Sequence, residues 1–258
     1  MILDRFRLED RVAIVTGAGR GIGEGAAFAF AELGANVVCA ARTPDQIEAT
    51  AEKVRACGGR ALAVPCDVTD RSQLEGLVEQ AVKEFGRIDV LVNNAGGTPP
   101  RPALDTSDEM FESAIHFNVT SAFALSRLAI PHMLAGDGGS IVNISSAAGR
   151  IPQSNFVAYG TAKAALAFMT RQLAAEFAPR VRVNAIAVGA VKTSALTPFL
   201  SEELEAKMAS LTPMQRLGEV EDISLMVLYL ASPAASWVTG KVMEVDGGTE
   251  STNWPFDA

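Results

Sequence analysis

The chain has 258 residues, of which 48% are hydrophobic and 20% charged, with a formal net charge of −8. Such a composition suits one large buried core and excludes a disordered chain. The acidic balance argues against nucleic acid or an anionic membrane as main partner, and weighs against a highly acidic carrier protein unless a local basic patch overrides it. In chain order, an apolar run at 12–15 reads as a strand ended by Thr16-Gly17, and a helical pattern follows over 22–33. A strand at 37–39 leads to a helix over 44–56 that Gly58-Gly59 stops. Next come a strand at 61–64, a helix over 72–85 and a strand at 88–92. One long helix is expected over 108–133, bent before Pro131. A strand at 140–144, a helix carrying Tyr159 and Lys163 to about 178, a strand at 181–186, a helix at 220–231 and a strand at 242–245 complete the chain.

Short apolar strands alternating with longer helices imply right-handed crossovers and a mostly parallel sheet. The fold class expected is therefore α/β, a doubly wound Rossmann sheet of about seven strands with helices on both faces. No linker-like block or internal repeat interrupts it, so residues 1–258 are expected to form a single domain. The first ten residues are charged and do not read as a secretory signal. Apolar runs such as 26–31 are too short to span a bilayer, and the expected location is cytoplasmic. Ligands of such sheets bind beyond the carboxyl ends of the strands, where Gly17, Asn93, Ser146 and Gly189 all fall.

The segment Thr16-Gly17-Ala18-Gly19-Arg20-Gly21-Ile22-Gly23 joins the first strand to the first helix. Its glycines allow close approach of backbone to phosphate, and the helix N-terminus offers free N–H groups and a positive dipole end. A dinucleotide with a free ribose 2′-hydroxyl is usually held by a carboxylate at the end of the second strand. Here Ala40-Ala41-Arg42-Thr43 has none. Arg42, with Arg20 of the glycine loop, suits a 2′-phosphate, so NADP(H) is expected over the alternative, NAD(H). The other reading of both arginines is solvated surface charge. Asp67-Val68 follows the third strand, where an Asp accepts from an adenine amino group, and Asn94, Ala95 and Gly96 supply small residues beside adenosine and ribose. Each is also compatible with a plain turn.

Tyr159 and Lys163, four residues apart, share one face of a helical turn, with Ser146 upstream. An ammonium near a phenol favours phenolate. Tyrosine starts near pKa ~10, and service as a base near neutrality needs a fall of roughly 2–3 units. Lysine alone falls short of that, and a positively charged oxidised nicotinamide would add to it. Cys39, Cys57 and Cys66 form no Cys-x-x-Cys pair, and with His116 and His132 they suggest no metal site.

Together these motifs resemble the short-chain dehydrogenase/reductase family over nearly the whole chain, from the glycine loop to Asp246-Gly247-Gly248. The resemblance implies that Tyr159 exchanges a proton with the substrate oxygen and that Lys163 lowers its pKa and holds the nicotinamide ribose. It implies that Ser146 hydrogen-bonds the carbonyl or alcohol, and that Asn118 holds a water linking Lys163 to solvent. Gly189, Val191 and Thr193 would border the nicotinamide, although Val188 stands where the family commonly has proline. Within the family the likeness is to bacterial 7α-hydroxysteroid dehydrogenases, carried by Asn93-Asn94-Ala95-Gly96-Gly97 and Ser232-Pro233-Ala234-Ala235-Ser236-Trp237-Val238. The 3-oxoacyl-carrier-protein reductases share the catalytic motifs and Arg216-Leu217-Gly218.

Residues 193–218 occupy the place of the family's substrate lid. Leu196, Phe199, Leu200, Leu204, Met208 and Leu211 recur at near-helical spacing, as an apolar lid or as a helix packed on the core or another subunit. Gly97-Thr98-Pro99-Pro100 and residues 151–157 would line the other walls. The expected substrate is a bulky hydrophobic alcohol or ketone, hydroxysteroid-like; the alternatives are a 3-oxoacyl thioester and a non-catalytic dinucleotide sensor. The family also implies a homotetramer, to which Leu225, Val227, Leu228 and Tyr229 contribute unless they face the internal core. The tail Thr252-Asn253-Trp254-Pro255-Phe256 is expected to fold over a neighbour.

Overall fold

β-Branched and small apolar residues dominate seven strands: β1 Val12–Thr16, β2 Asn36–Ala41, β3 Ala61–Pro65, β4 Val90–Asn93, β5 Gly139–Ser146, β6 Val181–Val188 and β7 Val242–Val245. They pair in the order β3-β2-β1-β4-β5-β6-β7, parallel throughout. Parallel neighbours need long crossovers. These are supplied by α1 Gly21–Glu32, α2 Pro44–Ala56, α3 Arg71–Phe85, α4 Asp108–Ile115, α5 Ser121–Ala135, α6 Val157–Phe177, α7 Glu202–Ser210 and α8 Val220–Ala231. The structure is a computed structural model and describes residues 1–194, 196, 197 and 200–254. Phe199 of the expected lid and Pro255 and Phe256 of the tail lie outside the described residues.

Side chains alternate across each strand, so one sheet serves two cores. Ala13 and Val15 face Phe30 of α1, Val54 of α2 and Val227 of α8. Val12 and Ile14 face Leu77 of α3, Leu125 of α5 and Leu173 of α6. Helices covering both faces explain why the strands are near-continuous apolar runs. The strand order reverses between β1 and β4, and a crevice opens there at the carboxyl ends.

Two expected elements differ from those observed. The strand expected at 88–92 is β4, which starts at Val90. Asp89 is instead buried at the strand's foot, where its carboxylate accepts from the Val12 amide at 2.9 Å, Arg11 at 2.8 Å and Arg87 at 2.6 and 2.8 Å. Asp137 closes the cluster by accepting from both arginines at 3.3 and 3.1 Å. The helix expected over 108–133 is interrupted by a π-turn, His116–Thr120, and α5 continues past Pro131 to Ala135. The wide turn carries Asn118 inward, and its amide donates to the Ala114 carbonyl at 2.9 Å.

Among the described residues no helix is long and apolar enough to cross a membrane. The Asp89 cluster fastens the starts of β1 and β4 to the turn before β5. Asp89→Ala is expected to lower stability by about 2 kcal/mol, a figure discounted because both arginines are partly solvated. Urea denaturation checks this, and an unchanged midpoint would show that the cluster is ornamental to the fold.

Candidate active site

At the carboxyl end of β1, Thr16 Oγ1 accepts from the backbone amides of Asn94 and Ala95 at 3.0 and 3.1 Å. In return Asn94 Nδ2 donates to the Thr16 carbonyl at 2.9 Å. This clasp fixes the glycine loop against the loop after β4. Gly17 has φ +64°, and a Cβ there would stand 2.7 Å from Asn94 Nδ2. A side chain at Gly23 would collide with the Gly17 carbonyl. The amides of Gly19, Arg20, Gly21, Ile22 and Gly23 donate to no acceptor among the described residues, so five N–H groups remain at the mouth of α1.

Gly19, Arg20, Gly21 and Ile22 line a cleft of about 540 Å³ running from Arg20, Arg42 and Asp67 at one end to Ser146, Tyr159 and Lys163 at the other. Asp67 Oδ1 accepts from the amide and hydroxyl of Thr69 at 2.9 and 2.7 Å. These bonds, with a smaller effect of Arg42, hold its carboxyl below the ordinary value. No ion pair or hydrogen bond occupies the guanidinium of Arg20 or Arg42 among the described residues.

Strand alternation separates the two serines that end β5. Ser145 is buried and donates to the Lys163 carbonyl at 2.9 Å, whereas Ser146 lines the cleft and bonds the Tyr159 hydroxyl. Below them runs a buried polar chain: Asn93 Nδ2 to Asn143 Oδ1 at 2.8 Å, and Asn143 Nδ2 to Thr170 Oγ1 at 2.9 Å. It ties β4 and β5 to α6 and so fixes the helix that carries Tyr159 and Lys163.

Lys163 is only 4% exposed, and its Nζ donates to the Ile144 carbonyl at 2.9 Å with no carboxylate beside it among the described residues. Burial pushes its ammonium down to about 8. Tyr159 was expected to be acidified by this lysine together with a bound oxidised nicotinamide, and the chain alone carries only the first of these. Here burial raises the phenol's pKa, and only the Ser146 hydrogen bond acts the other way. The reason is geometric: Nζ turns to the β5 backbone and lies 5.6 Å from the ring centroid.

Most expected catalytic and cofactor residues meet in this one cleft, but three do not. Gly23 lies beneath the loop. Asn118 is buried behind Gly96 and Gly97, accepting from the Gly97 amide at 2.8 Å. A Cβ at Gly96 would stand 2.7 Å from Asn118 Oδ1 and 3.0 Å from Lys163 Nζ, so this glycine lets both groups approach the loop. Val191 lines a second cavity of about 230 Å³, which shares Ser146 and Tyr159 with the cleft. Of the expected substrate walls, Ile151, Gln153 and Phe156 border that cavity, while Thr98, Pro99 and Pro100 border neither space. Thr249, Asn253 and Trp254 also line it. Asn253 and Trp254 of the tail thus reach the site of their own chain, where Trp254 meets Phe156 edge-on at 5.5 Å.

A family model described as enoyl-(acyl carrier protein) reductase matches residues 17–250. The chain belongs to the short-chain dehydrogenase/reductase family. It is 50% identical to an uncharacterised oxidoreductase of Mycobacterium tuberculosis, over 98% of this chain and 97% of the relative. It is 41% identical to the 7α-hydroxysteroid dehydrogenase of Escherichia coli K12, over 95% of this chain and 96% of the relative. A solved 7α-hydroxysteroid dehydrogenase complexed with NADH and 7-oxo glycochenodeoxycholic acid superposes with a TM-score of 0.93 at 40% identity, covering 97% of this chain and 98% of that one. As a short-chain dehydrogenase/reductase the chain is a nicotinamide-dependent oxidoreductase acting on a CH–OH group.

The cleft fits a nicotinamide dinucleotide: free amides at a helix N-terminus suit its phosphates, and the length of the cleft spans loop to tyrosine. The buried lysine has a measurable cost. Below about pH 8 the folded chain holds a desolvated ammonium. Between about 8 and the ordinary 10.5 the unfolded chain binds more protons than the folded one, so stability rises with pH in that window. Lys163→Met is expected to gain stability on the order of 3 kcal/mol at about pH 7 and to lose that advantage by about pH 10. Urea denaturation at both pH values checks this; a variant destabilised at the lower pH would contradict it.

Proposed function

We propose that this short-chain dehydrogenase/reductase uses NADP(H), with NAD(H) the weaker alternative, to interconvert a bulky, hydrophobic, hydroxysteroid-like secondary alcohol and its ketone. The observation that carries the substrate class is the second cavity: it adjoins Tyr159 and Ser146, and among the described residues no Asp, Glu, Lys or Arg lines it. The likeness to a structure holding a 7-oxo bile acid conjugate supports the same reading. For the cofactor, support comes from the guanidinium groups of Arg20 and Arg42, unpaired among the described residues, beside a strand end without a carboxylate.

In this reading Ser146 donates to the substrate oxygen and fixes its approach. Tyr159 passes a proton to that oxygen in reduction and withdraws it in oxidation. Lys163 holds the ribose of the cofactor and, with the bound cofactor's positive ring, brings the phenol towards neutrality. Asn118, in the π-turn, positions the Gly97 backbone and orders water towards Lys163. The bound nicotinamide supplies or accepts the hydride. Gly17, Gly19, Gly21 and Ile22 hold the phosphates, Asp67 and Val68 the adenine, Asn94, Ala95 and Gly96 the ribose, and Gly189, Val191 and Thr193 border the nicotinamide.

The whole chain works as one cytoplasmic domain with a lid at 193–218. Met208 of α7 is buried and lines the cavity with Leu196, while Leu211 is exposed. In the proposed homotetramer Leu225, which is exposed, is the α8 residue available for a subunit contact; Val227 and Leu228 belong to the core. Tyr229 packs on Phe6 with centroids 6.2 Å apart. A second reading, reduction of 3-oxoacyl thioesters, draws on the 35% identity to a 3-oxoacyl-carrier-protein reductase of Thermotoga maritima over 94% of this chain and 99% of the relative.

Following nicotinamide absorbance across steroids, 3-oxoacyl thioesters and small ketones separates these readings: turnover confined to bulky ketones is expected, and preference for the thioesters would replace it by the second. Tyr159→Phe is expected to cut kcat by about a hundredfold or more with cofactor affinity intact; near-normal turnover would remove the proton-transfer role. Arg42→Ala should weaken NADPH binding by about tenfold and NADH binding little. An equal effect on both, measured by fluorescence titration, would reject the phosphate contact.

A further inference from the structure

After β7 the chain returns across the substrate side of the site, held at three points. Arg150, just beyond the Ser146 turn, donates to the Thr249 carbonyl at 2.6 Å and bridges Asp246 and Glu250 at 3.1 and 3.0 Å. Asn253 is buried and donates to Thr212 Oγ1 at 3.0 Å; that hydroxyl in turn donates to the carbonyl of Met208 at 2.9 Å, at the end of α7. Trp254 meets Phe156 edge-on at 5.5 Å and 83°, and Phe156 meets the Tyr159 ring at 6.0 Å and 61°. Catalytic loop, lid and catalytic helix are thus strapped together by one segment.

Building on the reading above, we propose that residues 249–254 form the specificity wall of the substrate cavity, with Trp254 packing against an uncharged alicyclic ketone whose carbonyl lies at Tyr159. The chemistry of the wall selects this class. Trp254 and Phe156 offer contiguous aromatic surface one ring from the phenol, so a saturated ring system packs there with little lost entropy. Polar groups at the same wall are neutral: Gln153 makes no side-chain hydrogen bond among the described residues, and none donates to Asn253 Oδ1. These amides suit a hydroxyl or second carbonyl on the far ring and leave a carboxylate near the reacting carbon without a countercharge.

The chain contains two tryptophans, and Trp237 is 99% exposed, so Trp237→Phe leaves Trp254 as the sole indole reporter. In that background, with NADP+ bound, 2-decalone is expected to shift and quench the Trp254 emission saturably, whereas 2-butanone is not. Absence of any change with decalone overturns the wall, whether or not decalone is turned over. An emission change without turnover keeps the wall and removes the proposed reaction on this ketone. In parallel, Trp254→Ala is expected to lower the decalone-to-butanone ratio of kcat/KM about tenfold, with Trp254→Phe restoring most of it. NADPH affinity should stay within about twofold, since the wall lies outside the dinucleotide cleft. An unchanged ratio overturns the proposal while leaving the oxidoreductase reading intact.

Discussion

A lysine buried without a carboxylate is the constraint around which this site is built. Desolvating an ammonium costs several kcal/mol, and one backbone carbonyl repays only part of it. The chain nevertheless places Lys163 where Gly96 lacks a side chain, Ser145 holds its backbone and Ile144 receives its proton donor. Stability is spent on having a positive charge at one point of the cleft. Sites of catalysis are where such expense is expected.

The parallel sheet makes the placement possible. Reversal of strand order at β1 and β4 opens the crevice, and the Thr16–Asn94 clasp sets the loop that floors it. Alternation along β5 sends one serine to the helix backbone and the next to the phenol. The Asn93–Asn143–Thr170 chain then locks the helix in register with both strands. A dinucleotide lying along the cleft would meet the tyrosine and lysine at its far end, and the second cavity begins at the same tyrosine.

Local chemistry was legible in the sequence wherever spacing alone decides it. The glycine loop, the missing carboxylate at the end of β2 and the Tyr159–Lys163 pair are all short-range patterns, and each lines the cleft. Alternating strands and helices likewise sufficed for the sheet. Periodicity did not distinguish a π-turn from α-helix at His116–Thr120, since one extra residue leaves the apolar pattern nearly intact. Asp89 read as part of a strand because its arginine partner at position 11 comes from another strand's foot. Trp254 was visible as an aromatic needing burial, but its partner Phe156 is brought near only by the fold. Spacing put Tyr159 and Lys163 on one helix face, but burial of the phenol and its hydrogen bond to Ser146 are set by the fold.

The central claim is that the half-buried Tyr159 becomes a usable acid/base through Lys163 acting together with a bound cofactor. It is tested most directly by spectrophotometric titration of phenolate absorbance with and without saturating NADP+, using Tyr159→Phe to subtract Tyr229. The expected result is an ionisation assigned to Tyr159 that moves down by roughly 2–3 units when NADP+ is present, into the range near neutrality. A phenol that titrates at the same alkaline pH in both conditions would contradict the account.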